Sequence, residues 1–595
     1  MKTFSGNLSP SLSDLDKNFA ELAKLAVFSG PQAFGAKCDL VPLMNASIAA
    51  GSNVFNSTDA TFAPSDIGKV LAITGAGPSI GVSVAPDAAT LYGPLVSTIT
   101  GVNSASQVVL AHTAARTVGS GIGIQYIDHN ATVESSAKAF FGTDDTIALQ
   151  AYVDYAHPRD GIVRIPAPGC MVLGTVYCQR SRDTGATGLL WRRLEIRGVG
   201  PTAQTTLSGI ASNSDSNLFK PTAGPILAVN LDSSGAGMTS TGAVPTHQFY
   251  NFNIDGIAFH GMPGLQTVGM KLHRSRVNLK DATFNNLASG WNGLDPDVNG
   301  SENYCDQWTV GRVKFNNCAN LFKQYNPDAT QFLNIFAESF YPTVVHAIEI
   351  TGGRGWEIKA PLINKLPASA KIGYFYQSKE GLVSAGHFED IWGNAFTIEG
   401  SSSWVDIDRC DFFTPGSGAT AGLTANTIHY IAASGTVERC GFSFKRLSGA
   451  DIYFGSGRHQ IEQNNQFFTA DNITRRRPYV TIIAASGNIG TSFRQQYFVE
   501  VICWDGVHFD VRNVDGASVL TSIMTGAPSI DHTGNLNLDG PAIWGRPNMA
   551  IAIKKDGKYT PVLTGVYILR IAWYDAAGTK VTTPDTNMNC YLLVS

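Results

Sequence analysis

NFNIDGIAF (residues 251–259), VNLKDATFNN (277–286), WTVGRVKFNN (308–317), LNIFAESF (333–340), WEIKAPLI (356–363), SAGHFEDI (384–391) and VDIDRCDFF (405–413) are successive versions of one unit. In each, a β-like stretch ends on a large apolar residue, often followed by Asn, Gly or Cys. The terminal residues Phe259, Phe284, Phe315, Phe340, Ile363, Ile391 and Phe412 recur every twenty to thirty positions. A period of that length means a solenoid, in which each unit buries its apolar side only against its neighbours. The units lack helical periodicity, whereas alternation around one strongly apolar position suits stacked strands. The expected fold is therefore all-β, a parallel β-helix running from about residue 160 to 495.

Composition agrees with a turn-rich β protein. Among 595 residues only 15% are charged, 61 are Gly, and aromatics reach 10%. A formal net charge of -4 supplies no basic field, so no nucleic-acid partner is expected and a neutral, polar partner fits better. The first thirty residues have no secretory-signal pattern, and no apolar run is long enough to span a bilayer, so the expectation is a soluble protein made in the cytoplasm. Nine cysteines without CxxC pairs or metal-ligand spacing read as reduced, buried small hydrophobes, with no metal or cofactor expected.

Outward from the repeat, the ends differ. Residues 1–30 carry a helical signal, with Leu12, Leu15, Phe19, Leu22 and Ala26 three and four apart and a Ser11/Asp14 capping pattern. A docking helix or trimeric stalk and a helix packed across the next domain both fit it. A second helix is expected in GTDDTIALQAYVDYA (142–156), with Thr143 as cap and Ile147, Leu149, Ala151 and Val153 buried. From Tyr497 onward the pattern changes to antiparallel strands with an Asp556-Gly557 hairpin signal, expected to form a β-sandwich. The organisation read from the sequence is a helix (1–30), a β module (31–140), the β-helix (141–496) and the C-terminal sandwich (497–595).

Four ordered passages carry a family likeness: AFGAKCDL (33–40), FGTDDTIALQAYVDYA (141–156), GIVRIPAPGCMVL (161–173) and LEIRGVGPTAQTTL (194–207). Together they resemble the N-terminal signature of the pectate-lyase-like right-handed β-helix family found in many phage tailspikes. The family usually has the first two almost adjacent. Here about a hundred residues intervene, and FAPSDIGKVLAITGAG (62–77) and VVLAHTA (108–114) look like a β module that also recurs in phage tail proteins. Cys38 stands where the family commonly has Gly. The resemblance implies a homotrimeric tailspike carried on the virion, joined to a tail or baseplate protein through its N-terminus, and acting on a bacterial surface polysaccharide such as capsule or O-antigen. The Gly-rich stretches at 75–81 and 198–200 join no strand to a helix and precede no GK[ST], so they are turns and not phosphate loops.

Cutting a glycosidic bond needs paired carboxylates, or a base that removes the proton beside a uronate carboxyl. Rungs about 4.8 Å apart suit such pairing. Aligning rungs on Phe340, Ile363, Ile391 and Phe412 puts Asp390 and Asp411 in one column, Glu338 and Glu389 in another, and Lys359, His387 and Asp408 at one turn. The expected acid and base groups of a hydrolase are therefore Glu338, Glu389, Asp390, Asp408 and Asp411. Substrate contacts are expected from Tyr341, His387, Trp392 and Arg409, and from Trp291 and Tyr304 in the loop 289–308, whose Asp295, Asp297, Glu302 and Asp306 make a weaker calcium-like pattern. Trp356 and Trp404 begin strands and read as core. A lyase would use His387 or Tyr341 as base with Lys359 or Arg409 on the uronate. A spike that binds without cutting uses the same side chains.

Overall fold

The computed structural model describes residues 30–157, 161–178, 193–199, 215–229, 250–272, 275–293, 305–413 and 426–443, with 451–454, 460–463, 465–467 and the backbone of further strands between 479 and 594. The chain forms two compact units, Met1–Ala370 and Lys371–Ser595. Residues 1–29, with their helical signal, lie outside the described residues, as do Gly200, Asp295, Asp297, Glu302, Tyr304 and Asp556-Gly557. No helix among the described residues is long and apolar enough to cross a membrane.

In the first unit the repeats coil into a parallel β-helix. Its central column is in register as Phe259↔Phe284↔Phe315↔Ala337↔Ile363. The rings of Phe259, Phe284 and Phe315 stack at 5.0 and 5.1 Å with interplanar angles of 7° and 14°. Offset stacking of this kind adds to the large apolar area each ring buries. Behind them a buried amide ladder runs along the coil, Asn316 donating to Asn285 (2.7 Å) and Asn317 to Asn286 (2.9 Å), so these side-chain N–H groups have partners where water is excluded. Asp281, Arg312 and Asn334 each adopt positive φ inside the strands Ser275–Asn285, Thr309–Cys318 and Gln331–Phe340, and Ala360 does so between Glu357–Lys359 and Leu362–Leu366.

The column corrects the expected alignment. Phe340 stands opposite Cys318, and Ala337 fills the place assigned to Phe340. Ala337 already faces Phe315 ahead of the irregularity that leaves Glu338 and then Asn317 unpaired, and the two offsets cancel, so Phe340 lies as far beyond Ala337 as Cys318 lies beyond Phe315.

The capping helix spans Thr146–Ala156, with Asp145 and not Thr143 at its N-cap. Leu149 and Val153 are buried as expected, but Ile147 is 85% exposed. The two passages separated by the hundred-residue insertion rejoin here. The Asp145 carboxylate accepts the backbone N–H of Lys37 (2.6 Å) and Cys38 (2.9 Å), while Asp39 accepts the N–H (2.8 Å) and hydroxyl (3.0 Å) of Thr143. Between them the intervening chain makes a seven-stranded antiparallel sheet around Phe55, Phe62, Ile73, Leu110 and Phe141. A hairpin from the same insertion rests on the coil through Asp128–Lys365 (2.6 Å) and the Asn130 side chain, which accepts the N–H of Ala368 (2.8 Å).

The second unit continues the same kind of rung. His387–Ile391, Asp411–Phe413 and Gly441–Ser443 pair in parallel, with Phe388↔Phe412↔Phe442 in register. Phe388, not Ile391, therefore stands opposite Phe412. Four strands, Lys371–Tyr376, Phe396–Glu399, Ile428–Ile431 and Ile452–Phe454, pair in parallel to make another face. The antiparallel C-terminal strands start earlier than the expected Tyr497: Tyr479–Asn488 already pairs with Arg494–Cys503. The described C-terminal strands form one eight-stranded array, and Asn548–Lys554 and Gly565–Tyr574, which flank Asp556-Gly557, pair antiparallel.

Candidate functional site

The expected site residues fall into separate environments. Asp411 stands opposite His387, not opposite Asp390. Asp408 stands opposite Ser384 and Glu438, so it shares no column with His387. Its two oxygens are taken by guanidinium groups, Arg409 Nε at 2.9 Å and Arg439 Nη2 at 2.8 Å. Asp390 is 2% exposed at a positive-φ turn and accepts a hydrogen bond from Trp392 Nε1 at 2.6 Å. Glu338 pairs with Lys314 at 3.1 Å.

Two of the expected aromatic contacts do not face solvent. Trp291 is fully buried, stacked on Phe322 at 4.5 Å and 5°, with its Nε1 donating to Gln324, so it is core and not a sugar wall. Tyr341 is 4% exposed, and burial pushes its hydroxyl well above the ordinary tyrosine range, which leaves it a poor base. Its Oη has no hydrogen-bond partner and faces a small cavity of about 90 Å³ lined by Ile80, Gly264 and Asn286. Trp356 is core as expected, whereas Trp404 is 37% exposed, with its Nε1 donating to Asp406.

What the register does bring together is His387, Glu389, Asp411 and Phe413. His387 faces Asp411 and Glu389 faces Phe413 on adjacent strands. His387, Asp411 and Phe413 are exposed and Glu389 is half-buried. Glu389 and Asp411 are then diagonal neighbours, one rung and two residues apart, a backbone separation of about 8 Å. Side chains two residues apart on paired strands leave the same face, so the two carboxylates share one stretch of surface.

A second cluster went unread in the sequence. On the four-stranded face, Tyr374↔Thr397↔His429↔Tyr453 form one column and Tyr376↔Glu399↔Ile431 the next. Phe375, Ile398 and Tyr430 alternate with them into the core. Tyr374 donates its hydroxyl to Glu399 Oε2 at 2.9 Å and lies nearly parallel to Tyr376, with centroids 6.4 Å apart. Lys371 Nζ sits 5.1 Å from the Tyr374 ring, and Tyr453 meets His429 edge-on at 4.8 Å. Between Tyr374 and His429, the Thr397 hydroxyl is buried and without a hydrogen-bond partner. Burial, then the nearby Lys371 charge, lowers the His429 pKa, which favours neutral imidazole. Burial likewise lowers that of Lys371, opposed by Glu399. The face thus offers aromatic rings, a neutral imidazole, a phenol hydroxyl, a carboxylate and an ammonium group. The signal available in the sequence was KIGYFY and IHYI, whose polar aromatics alternate with inward apolar residues.

No protein-family model matches the chain, and no curated protein does. Among solved structures it is similar to the tailspike protein of Acinetobacter baumannii phage AM24, at 12% identity over 93% of this chain and 90% of that one, with a TM-score of 0.37. It is also similar to PfbA, a surface adhesin of Streptococcus pneumoniae (10% identity, 62% and 94% of the chains, TM-score 0.37), and to an alginate lyase from a Paenibacillus species (11%, 54% and 96%, TM-score 0.33).

Proposed function

We propose that this chain is a phage tailspike that binds and depolymerises a polysaccharide on the host surface, with the glycan lying along the face of Tyr374, Tyr376, Glu399, His429 and Tyr453. The observation that carries this reading is the outward column Tyr374–Thr397–His429–Tyr453 on neighbouring rungs. Rings at three of four successive rungs, with the buried Thr397 leaving a gap between Tyr374 and His429, suit a linear chain of sugar rings, whose apolar faces stack on aromatics while hydroxyls meet groups such as Glu399. The tailspike part of the reading is supported by the four ordered sequence passages, which also motivate a homotrimer attached to the phage tail through residues 1–30.

Hydrolysis is the chemistry offered by Glu389 and Asp411, two carboxylates on one face of adjacent rungs, one to act as acid and the other as base or nucleophile. Elimination at a uronate is favoured by a different observation, the neutral His429 near Lys371 and Tyr374. There the imidazole takes the proton beside the carboxyl, Lys371 offsets the carboxylate charge, and Tyr374 protonates the leaving oxygen. The test is to incubate the protein with purified host polysaccharide and follow reducing ends and unsaturated-uronate absorbance together. Reducing ends alone mean hydrolysis, and Glu389→Gln or Asp411→Asn should then lower the rate by about 10²–10⁴-fold. Both signals together mean elimination, and His429→Ala and Tyr374→Phe should be the damaging variants. Binding without either signal would leave a receptor-binding spike.

A further inference from the structure

Where the insertion rejoins the coil, two cysteines face each other. Cys38 Sγ and Cys170 Sγ are 3.1 Å apart, inside the van der Waals contact of two sulfurs and within reach of the roughly 2.0 Å of a covalent bond. Both are buried. Asp145 at the helix N-cap fixes both segments. Its carboxylate holds the N–H of Lys37 and Cys38, and its own N–H donates to Met171 O (2.8 Å), the residue after Cys170. Cys170 is further fixed by its strand, in register with Leu218. Cys38 adopts φ 48°, a conformation disfavoured for a residue with a Cβ, and the backbone is held in it by the Asp145 carboxylate.

We infer that Cys38 and Cys170 are a disulfide-forming pair that locks the segment entering the N-terminal module to the first rungs of the β-helix. The bond closes a loop between residues 38 and 170, so it restricts the unfolded chain strongly. In the reducing cytoplasm the two remain thiols, and outside the cell they oxidise. With oxidised glutathione as the oxidant, the Cys38 thiolate attacks one glutathione sulfur, the glutathione S–S bond breaks, and the first glutathione leaves as thiolate and takes up the proton. The Cys170 thiolate then attacks Cys38 Sγ and expels the second glutathione. Two cysteine sulfurs are oxidised and one glutathione disulfide is reduced to two thiols. Cys178, Cys318, Cys410 and Cys440 are also buried; Cys410 and Cys440 lie side by side on adjacent rungs too, but these two thiols and Cys318 direct their Sγ at backbone carbonyls.

The full-length protein is equilibrated in glutathione redox buffer near the ordinary thiol pKa of about 8.5. It is then unfolded, alkylated and mapped by peptide mass. The expected result is a Cys38–Cys170 cross-linked peptide with both sites unlabelled, and a melting temperature that falls on adding dithiothreitol. Cys170→Ser should lose the dithiothreitol dependence and carry glutathione on Cys38. Alkyl label on both Cys38 and Cys170 in the wild-type protein would overturn the inference. So would one equivalent of zinc retained by the purified protein and lost in Cys38→Ser, since those thiolates would then be metal ligands.

Discussion

At the scale of single residues, burial separates groups that look alike in sequence. Trp291 and Tyr374 are both aromatic residues beside polar ones, yet the first is wholly enclosed and the second half-buried on an outward column. Trp291→Ala should therefore cost stability, about 3–5 kcal/mol for a buried large ring, read as a shift of the urea midpoint, while glycan affinity of the folded protein stays the same. Tyr374→Phe should do the reverse. Glu349 supplies a pH prediction. His346 first, and then Lys323 at 2.9 Å, hold its carboxyl down to about 2 against the ordinary 4.5. A carboxylate with a depressed pKa stabilises the folded state fully above its ordinary value, and that stability is lost as pH falls towards the depressed one. Urea midpoints measured from pH 5 downwards should fall, and Glu349→Gln should flatten that fall. If the variant keeps the full acid dependence, the ion pair is not its source.

At the scale of elements, Phe412 and Phe413 are neighbours with opposite fates. Phe412 is 1% exposed, stacked at 5.1 Å on both Phe388 and Phe442, while Phe413 is 38% exposed. Phe412→Ala should lower the thermal midpoint by the equivalent of about 3–5 kcal/mol, and Phe413→Ala should hardly move it. The pair of variants is sensitive to register, which is where sequence reading stopped. The solenoid was legible because one large apolar residue per rung must stack on the next, and Phe259, Phe284 and Phe315 do so. The register within a rung was not, because HFEDI offers two inward apolar residues, Phe388 and Ile391, on either side of a positive-φ turn at Asp390. A turn residue interrupts the two-residue alternation, so either could head the column. Ala337 was missed because the rung ends on the larger Phe340, while the inward place opposite Phe315 and Ile363 holds only a methyl group. The tyrosine face was unread for another reason: its strands are short and apolar enough to pass for core, and only the register shows Tyr374, His429 and Tyr453 above one another.

At the scale of the whole molecule, charge separates the two chemistries through salt dependence, and one variant completes the separation. The net charge of -4 gives no long-range attraction for an acidic polymer, so affinity for a uronate glycan has to come from local cations such as Lys371. Such contacts lie partly in solvent and weaken once the screening length shrinks from about 10 Å at 0.1 M salt to about 3 Å at 1 M. A neutral glycan held by stacked tyrosines loses little over the same range. The proposed homotrimer predicts a sedimentation mass three times the 63.4 kDa of the chain, and on such an assembly avidity would multiply whatever each face supplies. The salt dependence per face is unaltered by that multiplication in sign. Binding of the host polysaccharide that collapses between 0.1 and about 1 M salt, together with cleavage persisting at mildly acidic pH because His429 stays neutral, would place the reaction at Lys371, Tyr374 and His429. Binding indifferent to salt, with cleavage abolished by Glu389→Gln, would move it to Glu389 and Asp411.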